Sequence, residues 1–290
     1  MGLRMKFNLV LLLAFLVGLA LAAYLTDRIL KQNAREEVVQ HARIMMESAL
    51  GARTYTAEHV KPLLTLQMKR QFLPQTVSAY AAGQSFKALR TKFPEYTYKE
   101  AALNPTNPND RATDWEADII NEFRNNAEQK EIVVERDTPT GRMLNLARPL
   151  GIYDQGCLTC HGKLEDAPKT MTDIYGVNNG FGWKMQEIIG AQVVTVPMSL
   201  PLSRAQKTFN TFMILLGSVF VLLMVLLNVL LHFVVIQPVV RIANIANQVS
   251  MGQTDAPEYV RPGKDEISSL SQSFSRMRLS LENAMKMLGE

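Results

Sequence analysis

Residues 209–236 read FNTFMILLGSVFVLLMVLLNVLLHFVVI, and this stretch decides the architecture of the chain. It contains no charged residue and exceeds the roughly 20 apolar residues that a helix needs to cross a bilayer core. Arg241 follows it. The pattern predicts a transmembrane helix over 209–236. Asn228 and His232 lie within the run, where polar side chains usually make interhelical or interfacial contacts.

A second uncharged run covers residues 7–25, just long enough to cross a bilayer. Arg4 and Lys6 precede it. Positive residues are retained on the cytoplasmic side, so the pattern predicts a two-pass protein of the bacterial inner membrane. Its N-terminus and C-terminal segment would be cytoplasmic, and residues 26–208 periplasmic. The alternative is a signal peptide cleaved near 20–22.

Overall composition narrows the classes of function. The formal charge is +4 and the pI about 9.0, but Lys and Arg are scattered rather than concentrated on one element, which excludes a nucleic-acid-binding surface. Cys157 and Cys160 are the only cysteines. Two cysteines that lie only three positions apart cannot provide a disulfide framework for a fold.

The segment between the two apolar runs has the pattern of an α+β domain. A long helix is expected from Asp27 to about His59, with an apolar stripe at Val38, Ala42, Met45, Ala49 and Ala52. That stripe suits either a dimer seam or packing on the same domain. Further helices are expected at 78–92 and from an N-cap at Asp114. Strands are expected at 96–103, 131–136, 142–150 and 188–197, with a hairpin turn at 139–141. This order is that of a PAS-like sensor domain between two transmembrane helices.

Residues 237–290 predict a helical coiled coil. A short helix after Pro238 carries Ile242, Ile245 and Val249, and a connector containing Gly and Pro follows at 251–263. A strict heptad stripe then runs along the second helix. Its members are Ile267, Leu270, Phe274, Met277, Leu281, Ala284 and Leu288. With Asp265-Glu266 opening the second helix, this segment resembles a HAMP linker, a family that implies a dimeric four-helix coil relaying signals.

The chemistry-bearing motif is Cys157-Leu158-Thr159-Cys160-His161. Two thiols at this spacing can add to the two vinyl groups of a protoporphyrin, and the adjacent imidazole can then bind the iron. A structural zinc site would need four ligands, and no second Cys/His pair occurs at metal spacing. A thioredoxin-like motif would open a helix in a βαβ unit, whereas here turn-forming residues follow a strand. The motif predicts one covalently attached haem c.

Residues 52–200 resemble the Tll0287-like family of bacterial c-type haem sensors. The segments that carry the resemblance surround the haem motif. They are YTYKEA at 96–101, DWEAD at 114–118, TPTG at 138–141, ARP at 147–149, APK at 167–169, YG at 175–176, GFGW at 180–183 and GA at 190–191. The resemblance implies a PAS-like periplasmic domain around one haem c, often joined to a HAMP linker.

The sixth iron ligand is open at this level. Both cysteines are committed to attachment, which leaves His59 as the favoured ligand, with His41 or a methionine (Met143, Met171 or Met185) as alternatives, or a vacant site. Arg148 and Lys169 could pair with the haem propionates, as could Arg111 and Arg142. Phe181 and Trp183, and also Tyr175, could form walls against the porphyrin.

These features predict a membrane-anchored redox or gas sensor that signals through the HAMP linker to a separate partner. We expect a homodimer formed through the linker and the juxtamembrane helices. The alternative is a tethered electron-transfer subunit that docks to a membrane complex. An enzyme is not expected, because no Ser/His/Asp arrangement and no phosphate-binding glycine loop occurs.

Overall fold

The computed structural model describes residues 2–253 and 257–288, except the side chains of residues 3, 285, 286 and 288. It divides into two compact units. One is Asp27–Thr208, and the other combines Met1–Thr26 with Phe209–Glu290. Leu288, the last predicted heptad position, and residues 289–290 of the predicted linker lie outside the described side chains or residues.

The described residues form nine α-helices and the four strands of one sheet. The helices are α1 (Leu3–Tyr55), α2 (Thr65–Met68), α3 (Ser78–Arg90), α4 (Asp114–Asn125), α5 (Gln155–His161), α6 (Lys169–Tyr175), α7 (Ser199–Leu230), α8 (Gln237–Ser250) and α9 (Glu266–Leu288). The strands are β1 (Thr97–Ala102), β2 (Ile132–Thr138), β3 (Gly141–Gly151) and β4 (Ile188–Pro197). Short π-helical turns cover Thr56–Val60 and Leu231–Ile236.

The four strands form one antiparallel sheet in the order β1-β4-β3-β2. The predicted α+β class is therefore confirmed as a mixed fold with a four-stranded sheet. Helix α4 covers one face through Ile119, Ile120 and Phe123. Its N-cap is Thr113 rather than the predicted Asp114: Thr113 and Glu116 form a capping box, which satisfies two free N–H groups at the helix start.

The opposite face of the sheet is covered by α1. Val38, Ala42 and Met46 are fully buried against Leu144 and Val194 of the central strands. Of the predicted stripe positions, Val38, Ala42 and Ala49 are buried, whereas Met45 and Ala52 are only partly buried and Met46 takes the buried place expected for Met45. Packing on its own domain is therefore the interpretation observed, and the buried positions are not free to form a dimer seam. The helix is long because no proline or glycine pair interrupts it before Pro62.

Substituting Met46→Ala should destabilise the domain by about 2–5 kcal/mol, because the substitution leaves a cavity under the helix. The matched control is Ile44→Ala, since Ile44 is 55% exposed two positions earlier on the same helix. Chemical denaturation of the detergent-solubilised protein measures both. Equal losses from the two variants would contradict the packing described.

The other unit contains the apolar parts of α1 and α7. Both helices are long and apolar enough to cross a membrane. Asn8 and Asn228 join them by a reciprocal amide pair, with Nδ2–Oδ1 distances of 3.0 and 2.8 Å. The rings of Phe15 and Phe220 stack nearby. Amide pairs are favourable inside a bilayer, where no water competes for them.

Helices α8 and α9 contact each other beyond the second apolar helix. Ile242 and Ile245 of α8 are buried. On α9 the fully buried residues are Ser268 and Ser271, and the Ser271 hydroxyl donates to the Tyr259 carbonyl at 2.8 Å. These serines bind the connector before α9. The apolar heptad stripe is left mostly uncovered in the single chain.

Candidate haem-attachment site

The cysteine motif lies on α5, a short helix directly after β3. Asp154 caps it by accepting a hydrogen bond from the Gly156 N–H at 2.8 Å. The segment that precedes the motif, expected to be a turn, thus initiates a helix. Cys157 and Cys160 are one helical turn apart, and both are half-buried free thiols. Positions 157, 160 and 161 have the i, i+3 and i+4 spacing that places side chains on one face of a helix. The two sulfurs and the imidazole are therefore neighbours on that face.

His161 is held in one orientation by its Nδ1 atom. Nδ1 lies 2.8 Å from the Gly180 carbonyl oxygen and 3.3 Å from the Thr106 hydroxyl. A carbonyl can only accept, so Nδ1 carries the proton and Nε2 keeps its lone pair. Burial lowers the pKa of His161, and the bond to Gly180 only partly opposes this. The neutral imidazole with a free Nε2 is the form that binds a metal.

The loop 176–183 supplies the support for this imidazole. Gly180 has φ +85°, and a Cβ at this position would overlap the Thr106 side chain. The backbone N–H groups of Gly182 and Trp183 donate to the carbonyls of Gly162 and His161, at 2.7 and 3.1 Å. The Trp183 indole stacks on the His161 ring, with centroids 4.1 Å apart. Two backbone bonds and one ring contact therefore fix the loop to the end of α5.

The end of the long helix supplies the charges near the thiols. Burial raises the pKa of the Cys160 thiol, while the positive charge of Lys61 opposes the increase. Arg53 is close enough to Cys157 for the two groups to interact electrostatically. Both thiols are unpaired and the imidazole has a free Nε2. This donor set fits a haem attached through two thioether bonds and one axial histidine.

The residues predicted to pair with the haem propionates differ in whether they already have carboxylate partners in the chain. Arg148 forms ion pairs with Glu47 at 2.7 Å and Glu131 at 3.3 Å, so carboxylates of the chain already occupy its guanidinium. Arg142 likewise pairs with Glu135. Lys169 is exposed at the first position of α6. Phe181 lies half-buried between the two glycines of the supporting loop.

The predicted sixth ligands are spread over several elements. His59 is exposed in the π-helical turn after α1, with its ring 5.4 Å from the Tyr55 ring. His41 is exposed earlier on α1. The methionines comprise two buried residues, Met143 and Met171, and one exposed residue, Met185. Residues 56–61 connect α1 to the segment near Cys160, and His59 lies in this connection.

Sequence reasoning did not identify Thr106, Gly180 or Arg53 as parts of the site. Arg53 forms an ion pair with the buried Glu100 of β1, and the Tyr98 hydroxyl donates to the same carboxylate at 2.7 Å. The residue patterns at 104–110 and 180–183 indicated turns, but they did not indicate which residues those turns contact. In the part of the chain that the structure describes, no group of three or more His, Cys, Asp or Glu could hold a metal ion by itself.

Comparison with known proteins identifies two domain families. The Tll0287-like family model matches residues 31–197, and the HAMP domain model matches residues 230–283. A search of curated proteins finds no match. The crystal structure of the cyanobacterial heme-protein Tll0287 is similar at 19% identity and a TM-score of 0.44, covering 56% of this chain and 95% of that one. The first match spans more than half of the chain, which therefore belongs to the Tll0287-like family and carries a HAMP domain after its second apolar helix.

Proposed function

We propose that this protein is a membrane-anchored haem c sensor that signals through its HAMP domain. The observation that carries the proposal is the hydrogen bond from His161 Nδ1 to the Gly180 carbonyl, beside two free thiols on the same short helix. It leaves Nε2 as the available iron ligand. Membership of the Tll0287-like family and the HAMP match support the same function.

In this proposal Cys157 and Cys160 hold one haem by thioether bonds, and His161 is the proximal ligand. The bound haem would supply a one-electron redox centre or a site for a small gas. The chain's own contribution is rigid support: the Gly180 carbonyl orients the imidazole and Trp183 packs on it. Arg53, near the end of α1, forms an ion pair with the buried Glu100 of β1 and so joins the helix to the sheet of the same domain.

The proposed topology is that of a two-pass protein of the bacterial inner membrane, with spans at 7–25 and 209–236. Residues 26–208 would form the PAS-like haem domain in the periplasm, and residues 237–290 the cytoplasmic HAMP domain. Helix α1 runs without interruption through the alternative cleavage site at 20–22. The Asn8–Asn228 pair gives the first span a partner. Of these two observations the amide pair supports an uncleaved first helix, because cleavage would leave Asn228 without its Asn8 partner.

We further propose a homodimer formed through the HAMP helices. The apolar stripe of α9 is largely uncovered in the single chain: Leu270 is 48% exposed and Met277 62%. A strict heptad stripe is the surface with which parallel helices associate. Within a dimer, each stripe would be buried against the second copy.

The signalling proposal is tested by crosslinking at Leu281→Cys. Cys157 and Cys160 are the only native cysteines, and haem attachment consumes both, so the introduced thiol is the single reactive one. A bismaleimide crosslinker is not itself redox-sensitive. The crosslinking yield should differ about fivefold or more between oxidised and reduced protein, as expected for a coupled two-state element. The control Leu279→Cys makes the same change two positions earlier, on the face of α9 opposite the stripe, where Leu279 is 53% exposed.

An unchanged yield at Leu281→Cys in both oxidation states would overturn the sensor proposal. If the yield is high in both states and the protein exchanges electrons rapidly with a soluble donor, the chain is instead a dimeric electron-transfer subunit. A signalling role does not require catalysis, and no catalytic activity is proposed.

We propose His59 as the sixth ligand. His59→Ala should convert a low-spin haem to a high-spin one, because loss of a strong axial nitrogen ligand weakens the ligand field. Low-temperature EPR and optical spectra measure the change. His41→Ala is the control, since His41 is also an exposed histidine on the helix side of the domain. A low-spin spectrum retained in His59→Ala would remove His59 from the iron.

A further inference from the structure

Two carboxyl groups, Glu100 and Asp110, lie where the turn Pro108–Asp110 returns to β1 through the bridge between Arg111 and Ala102. Glu100 is only 9% exposed. Its carboxylate accepts hydrogen bonds from Arg53 of α1 and from the Tyr98 hydroxyl, which in turn accepts from the Gln192 amide at 3.1 Å. Two donors, a guanidinium and a phenol hydroxyl, therefore meet the buried Glu100 side chain.

Asp110 is the second of these carboxyl groups. It follows the loop 104–107 and accepts a hydrogen bond from the Asn107 amide at 3.0 Å. Burial raises the pKa of Asp110, and the negative charge of Glu100 raises it further, while Asn107 and Lys99 oppose the shift. Lys99 itself forms an ion pair with Glu116 at 2.7 Å. Among the described residues, the cation that acts on Asp110 is Lys99, which Asp110 therefore shares with Glu116.

The two carboxyl groups connect to both parts of the proposed sensor. Thr106, next to Asn107, contacts the Nδ1 atom of His161. Arg53 joins Glu100 of β1 to α1. The remaining titratable group that faces Asp110 is Tyr175 of α6, whose pKa is raised by burial, with smaller contributions from Tyr80 and Asp110. Asp110 is thus connected to the axial histidine through its hydrogen-bond donor Asn107 and the neighbouring Thr106.

We propose that Asp110, which accepts a hydrogen bond from Asn107 next to the His161 contact Thr106, is a proton-binding site that takes up one proton from bulk water for each electron delivered to the haem iron by an external one-electron reductant. The inference rests on the proposed haem c site. The electron adds one negative charge at the iron, and the proton adds one positive charge at the Asp110 carboxylate, so the local charge is unchanged. No other bond forms or breaks. The sensor would then respond to periplasmic pH as well as to potential.

The sign of the effect follows from linkage. An added negative charge near a carboxylate favours its protonated form, so the reduced protein binds the proton more tightly than the oxidised protein. Lower pH therefore favours reduction. The midpoint potential should fall by about 59 mV per pH unit between the pKa of Asp110 in the oxidised state and its higher pKa in the reduced state, and be flat outside that interval.

The experiment is a spectroelectrochemical titration of the full-length, haem-loaded protein in detergent across a range of pH. Asp110→Asn should lose the sloping interval. Glu100→Gln should move the interval to lower pH, because the neighbouring negative charge is gone. Asp118→Asn, the same chemical change at an exposed position of α4, should behave as the wild type. Redox difference infrared spectra should show a protonated carboxylic acid on reduction in the wild type and not in Asp110→Asn.

Two results overturn the proposal. One is a pH-independent midpoint potential in the wild type. The other is a slope in Asp110→Asn equal to that in Asp118→Asn, which would assign the proton to another group such as a haem propionate. Intact mass measured on the same samples separates this failure from that of the proposed function: a chain without covalent haem overturns both, whereas a haem-bearing chain with unaltered slopes overturns only the proton site.

Discussion

The double substitution Cys157→Ala with Cys160→Ala should abolish covalent haem attachment completely. Each thioether bond needs one thiol, and the chain has no other cysteine to replace either one. The fold should persist, since both side chains are only half-buried on a short helix outside the main clusters. Intact mass and haem staining after denaturing electrophoresis measure the loss, and circular dichroism tests the fold.

Three comparisons make this result specific. Each single Cys→Ala variant should keep one thioether bond and hence a fraction of stained protein. His161→Ala should keep both bonds but lose the proximal ligand, which changes the optical spectrum without removing the haem mass. Haem that stays with the doubly substituted chain through denaturation would show that attachment occurs elsewhere, and the assignment of α5 as the attachment helix would then be wrong.

Gly180→Ala should be the most damaging glycine substitution in the supporting loop. A residue other than glycine at φ +85° costs on the order of 1–2 kcal/mol. Here the added Cβ also overlaps the Thr106 side chain, which must move away from His161. Overpacking of this kind adds typically about 1–3 kcal/mol. We expect both a lower free energy of unfolding and a disturbed haem spectrum.

Gly176→Ala separates the two contributions. Gly176 has φ +81°, and nothing lies within 4 Å of the position that a Cβ would take there. Its substitution should therefore show the backbone cost alone and leave the haem spectrum unchanged. Denaturant titrations of the two variants give the difference in stability. Equal destabilisation and identical spectra would mean that the Gly180–Thr106 contact does not support the imidazole.

Features that depend on local patterns could be predicted from the sequence. Strand β4 occupies the predicted residues 188–197, and helix α3 ends within two residues of its predicted boundary. Alternation and helical spacing depend on neighbours along the chain, so these elements are visible without tertiary information. The N-cap at Thr113 was missed by one residue because Asp114 is an equally good capping type.

The interactions within the site could not be predicted in the same way. Thr106 and His161 are 55 positions apart, and Arg53 and Glu100 are 47 apart. Their contacts depend on the register of β1 against β4 and on where α1 crosses the sheet. Likewise, Arg148 was a reasonable propionate partner until the tertiary structure placed it between Glu47 and Glu131. Charge and residue type alone do not reveal which partner is near.

The sequence by itself determined the two apolar helices, the CxxCH motif at Cys157, Cys160 and His161 from which haem attachment is proposed, and the heptad of the HAMP domain. Each can be recognised from residue spacing or hydropathy. Bilayer thickness, the distance between the haem vinyl groups and the helical period all constrain residues that are close together in the sequence. Only the tertiary structure decided that the α1 stripe packs on its own sheet, that the Gly180 carbonyl orients the imidazole, and that Arg53 and Glu100 link the site to α1. Those contacts form between distant segments, where packing and register, rather than local pattern, select the partner.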